Sequence, residues 1–149
     1  MSKINIRNYT SSVAADKSIL MIEKTLISMG ATNIAKEYEN GRVLAISFAI
    51  KQADGILPFR LPGKVEPIKK LFLAQYRRPT ASQSQTCQEQ AERTAWKNTY
   101  EWVAIQATMV QLEQVEVIEV FFPYIYDYAN KTTLYESAKK NNYKALLPA

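Results

Sequence analysis

The sequence predicts an α+β domain: a three- to four-stranded antiparallel sheet in the order β-α-β-β-β, covered by helices and joined to one long C-terminal helix. Three observations carry this prediction. Asn40-Gly41 and Asp54-Gly55 separate short β-like runs, and Asn-Gly between such runs is the strongest short hairpin signal, because both turn residues need positive φ. A stretch from Thr86 to about Ile118 contains no Gly and no Pro and repeats apolar residues at helical spacing. A chain of 149 residues fits one domain (1–149), large enough to bury about two-thirds of its unfolded surface.

Ile4 to Tyr9 alternates apolar and polar residues and reads as a first strand. Thr10, Ser11 and Ser12 offer caps for a helix from about Ala14 to Met29, whose apolar stripe is Ala15, Ile19, Ile22, Leu26 and Met29. Gly30 stands where a left-handed C-terminal cap is needed. Ala31 to Glu39 and Arg42 to Lys51 then form the hairpin around Asn40-Gly41. Leu44, Ile46, Phe48 and Ile50 share one face of the second strand, and Val43, Ala45, Ser47 and Ala49 the other, which suits a central position. Ile56 to Leu61 follows; Pro58 lacks a donor and places this strand at an edge.

Pro62-Gly63 ends the sheet. A short helix starts near Glu66, tolerates Pro67 in its first turn and turns Ile68, Leu71, Phe72 and Gln75 inward. Residues 79–85 (PTASQSQ) read as a mobile polar linker between a sheet-plus-helix part (1–78) and the remainder (86–149). Thr86 with Glu89 reads as the capping box of the long helix. Its face is Trp96, Thr99, Trp102, Val103, Gln106, Met109, Val110 and Val117, with Gln106 a buried polar candidate that needs a partner. Some 30 residues make a rod of roughly 45–50 Å. Thr133 with Glu136 caps a last helix through Lys140.

Composition removes most chemistry. The chain has no histidine, which eliminates Ser-His-Asp and Cys-His arrangements, the usual zinc sites and the commonest general base. None of the four glycines lies in a phosphate-cradling motif. Cys87, the single cysteine, excludes an internal disulfide and fits a reducing compartment. No apolar run approaches the length of a membrane span and no secretory signal is present, so a cytoplasmic protein without a membrane partner is expected. Glu92, Glu113, Glu116 and Glu119 are the candidate metal carboxylates, but no His follows a Glu at three residues, and a solvated acidic face is the preferred reading. No catalytic residue, metal or cofactor is assigned.

The formal charge is +5, and the whole excess lies between Lys51 and Thr80, where seven bases face two acids; the remainder holds twelve of each. Such clustering is an electrostatic footprint for phosphate, although Lys69 and Lys70 also serve simply to solvate a helix and complement its dipole. The candidate phosphate contacts are Arg60, Lys64, Lys69, Lys70, Arg77 and Arg78, with Tyr76 positioned to stack on a base. Phe59 reads as core. Phe122, Tyr124, Tyr126 and Tyr128 read as a protein-facing surface, the tyrosines sharing one face if the segment is extended.

Arg93-Thr-Ala-Trp96-Lys97, Glu101-Trp102 with Gln106, and Glu119-Val-Phe-Phe-Pro123-Tyr124, together with Asn8-Tyr9-Thr10 and Leu57-Pro-Phe-Arg-Leu-Pro62, resemble a small protein family of phages and prophages over most of the chain. The resemblance implies a mobile-element setting in the cytoplasm of a bacterial host and, because that family has no settled activity, no catalytic residues to carry over. Where a Lys-Asp pair is expected before the second tryptophan, this chain has Thr99-Tyr100-Glu101, which puts any role of that acidic position in doubt. The resulting expectation is a non-enzymatic accessory protein that binds nucleic acid, single-stranded in particular, or a related phosphorylated nucleotide. Two alternatives stand beside it: a protein-interaction module that forms a homo-oligomer or inhibits a host defence or replication factor, and a metal-dependent hydrolase using helix carboxylates.

Overall fold

A computed structural model describes residues 5–149, an α+β chain with a three-stranded antiparallel sheet, a second two-stranded sheet and a long helix. Two compact units are distinguished: one gathers Met1–Leu26 and Gly63–Ala107, the other Ile27–Pro62 and Thr108–Ala149.

The sheet unit is built on β1 (Ala31–Glu39), β2 (Arg42–Gln52) and β3 (Gly55–Pro62), paired antiparallel in the order β1-β2-β3. Asn40 and Gly41 take φ of 52° and 76°, the left-handed pair that a two-residue hairpin of this hand demands. The next turn, Ala53-Asp54, joins Gln52 paired with Gly55 and uses no positive φ. As the central strand, β2 buries residues on both faces: Ile46, Phe48 and Ile50 on one, Ala45 and Ala49 on the other. Phe48 and Phe59 stack at 5.1 Å, and Phe121 meets them edge-on at 5.1 and 6.2 Å, making one buried aromatic trio. Phe121 comes from α4 (Val117–Phe121), so within this unit a short helix covers the sheet.

The two sheet edges are handled differently. On the outer side of β3, Ile125 makes an isolated bridge to Phe59. The β1 strand is interrupted by register shifts after Thr32 and after Glu37, with Asn33 left-handed at φ 54°. Bulges and the charges of Lys36, Glu37 and Glu39 are the usual protection of an edge against pairing with another chain. The rest of the unit holds β4 (Tyr126–Asp127), β5 (Thr132–Thr133) and α5 (Leu134–Lys140). Thr133 and Glu136 form the expected capping box, with Glu136 N–H donating to Thr133 Oγ1 at 3.2 Å and Thr133 N–H to Glu136 Oε1 at 2.9 Å.

The helical unit contains most of α1 (Ala15–Ser28), α2 (Val65–Leu73) and most of α3 (Ala81–Gln111). The α1 helix buries Ser18, Ile19, Ile22 and Leu26 and stops at Gly30, φ 97°, as expected. Phe72, Cys87 and Ala91 form a buried cluster with Ile6, Tyr9, Val65, Ile68 and Leu73 around it. Leu73 replaces Leu71 on the inward side of α2, and Leu71 and Gln75, both expected inside, are exposed.

Several expectations are corrected. Residues 7–10 form a turn and residues 5 and 6 belong to no strand, so the order is not β-α-β-β-β; Ile4 lies outside the described residues. The expected linker is largely helical. Thr80 caps α3, accepting the Gln83 N–H at 3.1 Å while Gln83 Oε1 accepts the Thr80 N–H at 3.0 Å. This is a capping box with Gln in place of Glu, and Thr86 and Glu89 lie inside the helix it opens. The long helix also stops earlier, at Gln111, with 38 residues still to follow. Gln114 N–H donates to Met109 at 2.8 Å and Glu113 N–H to Val110 at 3.0 Å, a Schellman ending with Glu113 at φ 61° where glycine is usual.

That ending gives a direct test. A left-handed non-glycine residue costs about 1–2 kcal/mol, partly offset because glycine frees the unfolded chain. Glu113→Gly is therefore expected to stabilise by roughly 0.5–1 kcal/mol, read as a higher urea midpoint; a lower midpoint would show that the glutamate side chain has a stabilising role there. Among the described residues no helix is long and apolar enough to cross a membrane.

Candidate nucleic-acid interface

The basic run lies on α2 and the segment that leaves it. Lys64 is the N-cap residue, left-handed at φ 53°, and Lys69 and Lys70 sit within the helix. The helix closes with Ala74 N–H on Lys70 O at 3.1 Å and Tyr76 N–H on Leu73 O at 3.0 Å. Tyr76 is thereby tied to the helix end, with its side chain exposed, and Arg77 and Arg78 follow on an exposed bend. Lys69 is half-buried, the other four cations are exposed, and the only acid between Lys64 and Thr80 is Glu66. Among the described residues none of these five cations forms an ion pair.

Arg60 is placed differently. It belongs to the sheet unit, where its Nε donates to Glu37 Oε2 at 2.8 Å and its guanidinium lies 5.9 Å over the Tyr126 ring. Arg60 on β3 is opposite Ser47 and Glu37 on β1 is opposite Ala45. The small side chains of β2 leave room for an ion pair between the outer strands. Arg60 is thus a cross-strand tie, engaged on both sides, and does not stand with the other cations.

The aromatic segment is likewise not the extended face expected from its alternation. Phe122–Tyr124 is a 3₁₀ turn with Pro123 in it, and only Tyr126–Asp127 is extended. Phe122 and Tyr128 are exposed at 52% and 65%. Tyr124 is half-buried, which pushes its hydroxyl above the usual tyrosine range. Tyr126 touches Tyr128 edge-on at 4.9 Å and lies under Arg60. The Glu116 and Glu119 carboxylates form a reciprocal cap on α4, with Glu116 N–H on Glu119 Oε1 at 3.1 Å. A cap is a sufficient reason for that pair at three-residue spacing.

A polar stripe on α3 escaped sequence reading. Gln90 Nε2 donates to the Tyr9 and Ser11 carbonyls at 3.0 and 3.1 Å, and Thr94 Oγ1 donates to Asn8 O at 2.7 Å. Asn8 Nδ2 donates to Asn98 Oδ1 at 2.8 Å, and Arg7 pairs with Glu101 at 2.5 Å. The hydrogen bond from Arg7 is the main reason that the Glu101 carboxyl is held below its ordinary range. Gln90, Thr94, Asn98 and Glu101 recur every three or four residues, one face of a helix; the first two satisfy backbone carbonyls of the segment before α1, and the last two hold its side chains. Gln106, expected to be buried, is half-buried; the buried polar side chain of α3 is Thr94, with half-buried Gln90 one turn before it. Asn8, Thr94 and Glu101 therefore have scaffold roles here.

The class these features define is an α+β protein with an unpaired cationic segment on a short helix. Comparison with known proteins found no matching family model, no matching curated protein and no matching solved structure.

Proposed function

We propose that the chain is a non-enzymatic binding protein for single-stranded nucleic acid or a related phosphorylated nucleotide, working as a cytoplasmic accessory protein of a phage or other mobile element. The observation that supports this reading best is the run Lys64, Lys69, Lys70, Arg77 and Arg78, none held by an acid, with Tyr76 exposed among them. Unpaired cations on one short segment release counterions when they meet phosphate, without first breaking internal salt bridges. An aromatic ring beside them adds roughly 1–3 kcal/mol per stacked base without choosing a sequence. Arg60 is left out of the site because Glu37 and Tyr126 already engage it.

Replacing Lys69, Lys70, Arg77 and Arg78 with alanine is expected to abolish retention of a labelled single-stranded oligonucleotide at about 0.15 M salt, with residual binding left only at low salt, while leaving the thermal midpoint nearly unchanged. Unchanged retention would dismiss the reading. A protein-interaction role is favoured by a separate observation, the exposure of Phe122 and Tyr128 together with Leu146 and Leu147, more apolar surface than a solvated C-terminal segment needs. Light scattering that reports a stable oligomer with no affinity for DNA, RNA or nucleotides would select that role.

A further inference from the structure

The sheet unit carries a second aromatic and basic cluster, on α5 and the turn after it. Tyr135 lies in the first turn of α5 and Tyr143 three residues past its end. Their ring centroids are 6.3 Å apart at a tilt of 44°, and their hydroxyls are 3.3 Å apart. Core packing does not account for the pair, since the two residues remain 43% and 38% exposed. Tyr143 also takes φ 57°, a left-handed conformation that is a genuine outlier for a bulky residue.

The backbone is pinned in that conformation. Tyr143 N–H donates to Ala138 O at 2.8 Å and Asn142 N–H to Lys139 O at 3.0 Å, a Schellman ending whose left-handed residue is Asn142 at φ 54°, and Lys144 N–H donates to Asn141 O at 3.2 Å, closing the turn that brackets Asn142 and Tyr143. The ring is thus set against Tyr135 before any ligand arrives, and a preorganised contact loses less entropy on binding. Lys139, four residues after Tyr135, shares its helix face, and Lys140 and Lys144 follow. Among the described residues none of these three lysines forms an ion pair. The one acidic side chain between Lys131 and Ala149 is Glu136, and its carboxylate is committed to the N-cap of α5.

We infer that Tyr135 and Tyr143, with Lys139, Lys140 and Lys144, form a second contact surface for single-stranded nucleic acid, the rings stacking on a base and the lysines meeting the adjoining phosphates. The inference rests on the proposed function but concerns different residues in the other unit. An isolated phosphate or an acidic peptide would call for the ammonium groups alone; paired, exposed and prepositioned rings add what a base recognises.

Tyr143→Gly is the discriminating variant, because a left-handed backbone suits glycine and the lost side chain is exposed. The probes are a labelled oligothymidylate and an abasic deoxyribose-phosphate polymer of the same length. Tyr143→Gly is expected to weaken oligothymidylate binding roughly five-fold or more, to leave abasic-polymer binding unchanged and not to lower the thermal midpoint. Equal oligothymidylate affinity in variant and wild type overturns the second surface, and so does an equal loss on both polymers. If the variant on α2 still loses retention in that case, the proposed function stands without the second surface; a wild-type protein that retains neither polymer removes both.

Discussion

Phe121→Ala is expected to destabilise the protein by roughly 3–5 kcal/mol. Phe121 is fully buried and closes the trio with Phe48 and Phe59, both buried in the sheet. Truncation removes its own burial and two edge-on contacts, each worth about 0.5–1.5 kcal/mol beyond area, and leaves a cavity that a sheet held by backbone bonds does not collapse to fill. For a chain of this size the loss corresponds to a fall in melting temperature on the order of 10 °C. The neighbouring residue is the control. Phe122 is 52% exposed, so Phe122→Ala is expected to change stability by about 0.5 kcal/mol or less. Comparable effects of the two variants in urea unfolding would contradict the placement of this dipeptide.

Gly63→Ala is expected to destabilise by roughly 1–3 kcal/mol, although it adds a single methyl group. A Cβ at Gly63 would stand 2.5 Å from Cζ2 and 2.7 Å from Cε2 of Trp96. Trp96 is buried, so its ring cannot give way towards solvent. The glycine is needed there for close approach, since its φ lies outside the left-handed region. Pairing the change with Trp96→Phe shortens the ring at the point of the clash, so the double variant is expected to lose less than the sum of the two single ones. Simple additivity in a double-mutant cycle would show that the cost at Gly63 arises elsewhere.

Much of the fold was legible because its signals are local. Asn40-Gly41 sets a hairpin through φ, Gly30 ends a helix for the same reason, and Thr133 with Glu136 announces a cap; each is observed where the residues place it. The long helix was legible in type and length but displaced towards the C-terminus. Its true cap uses Gln83 in a stretch that reads as polar and low in complexity, and its end relies on Glu113 in a conformation that no residue type advertises. The segment before α1 misled for a different reason: its alternation suits a strand, but its backbone finds side-chain partners on α3, a contact nearly 90 residues away in sequence.

The candidate site follows the same division. The cations from Lys64 to Arg78 were visible as a local excess of charge, and no acid elsewhere in the described chain engages them. Arg60 looked equivalent in composition, yet its partners Glu37 and Tyr126 come from distant strands. The tyrosine alternation from Tyr124 to Tyr128 failed because Pro123 nucleates a 3₁₀ turn and shortens the extended part to two residues. Tyr135, Lys139 and Tyr143 recur at four-residue spacing and were detectable in principle; what the spacing lacks is the left-handed backbone that brings the second ring back.

The most direct test of the account is the salt dependence of single-strand binding before and after neutralising Lys69, Lys70, Arg77 and Arg78. Each phosphate contact on a single strand contributes about −0.7 to the slope of log K against log salt, so alanine at the four positions is expected to make the slope shallower by about 2.8. Parallel lines for wild type and variant would mean that these side chains do not meet phosphate, and would contradict the proposed function at its base.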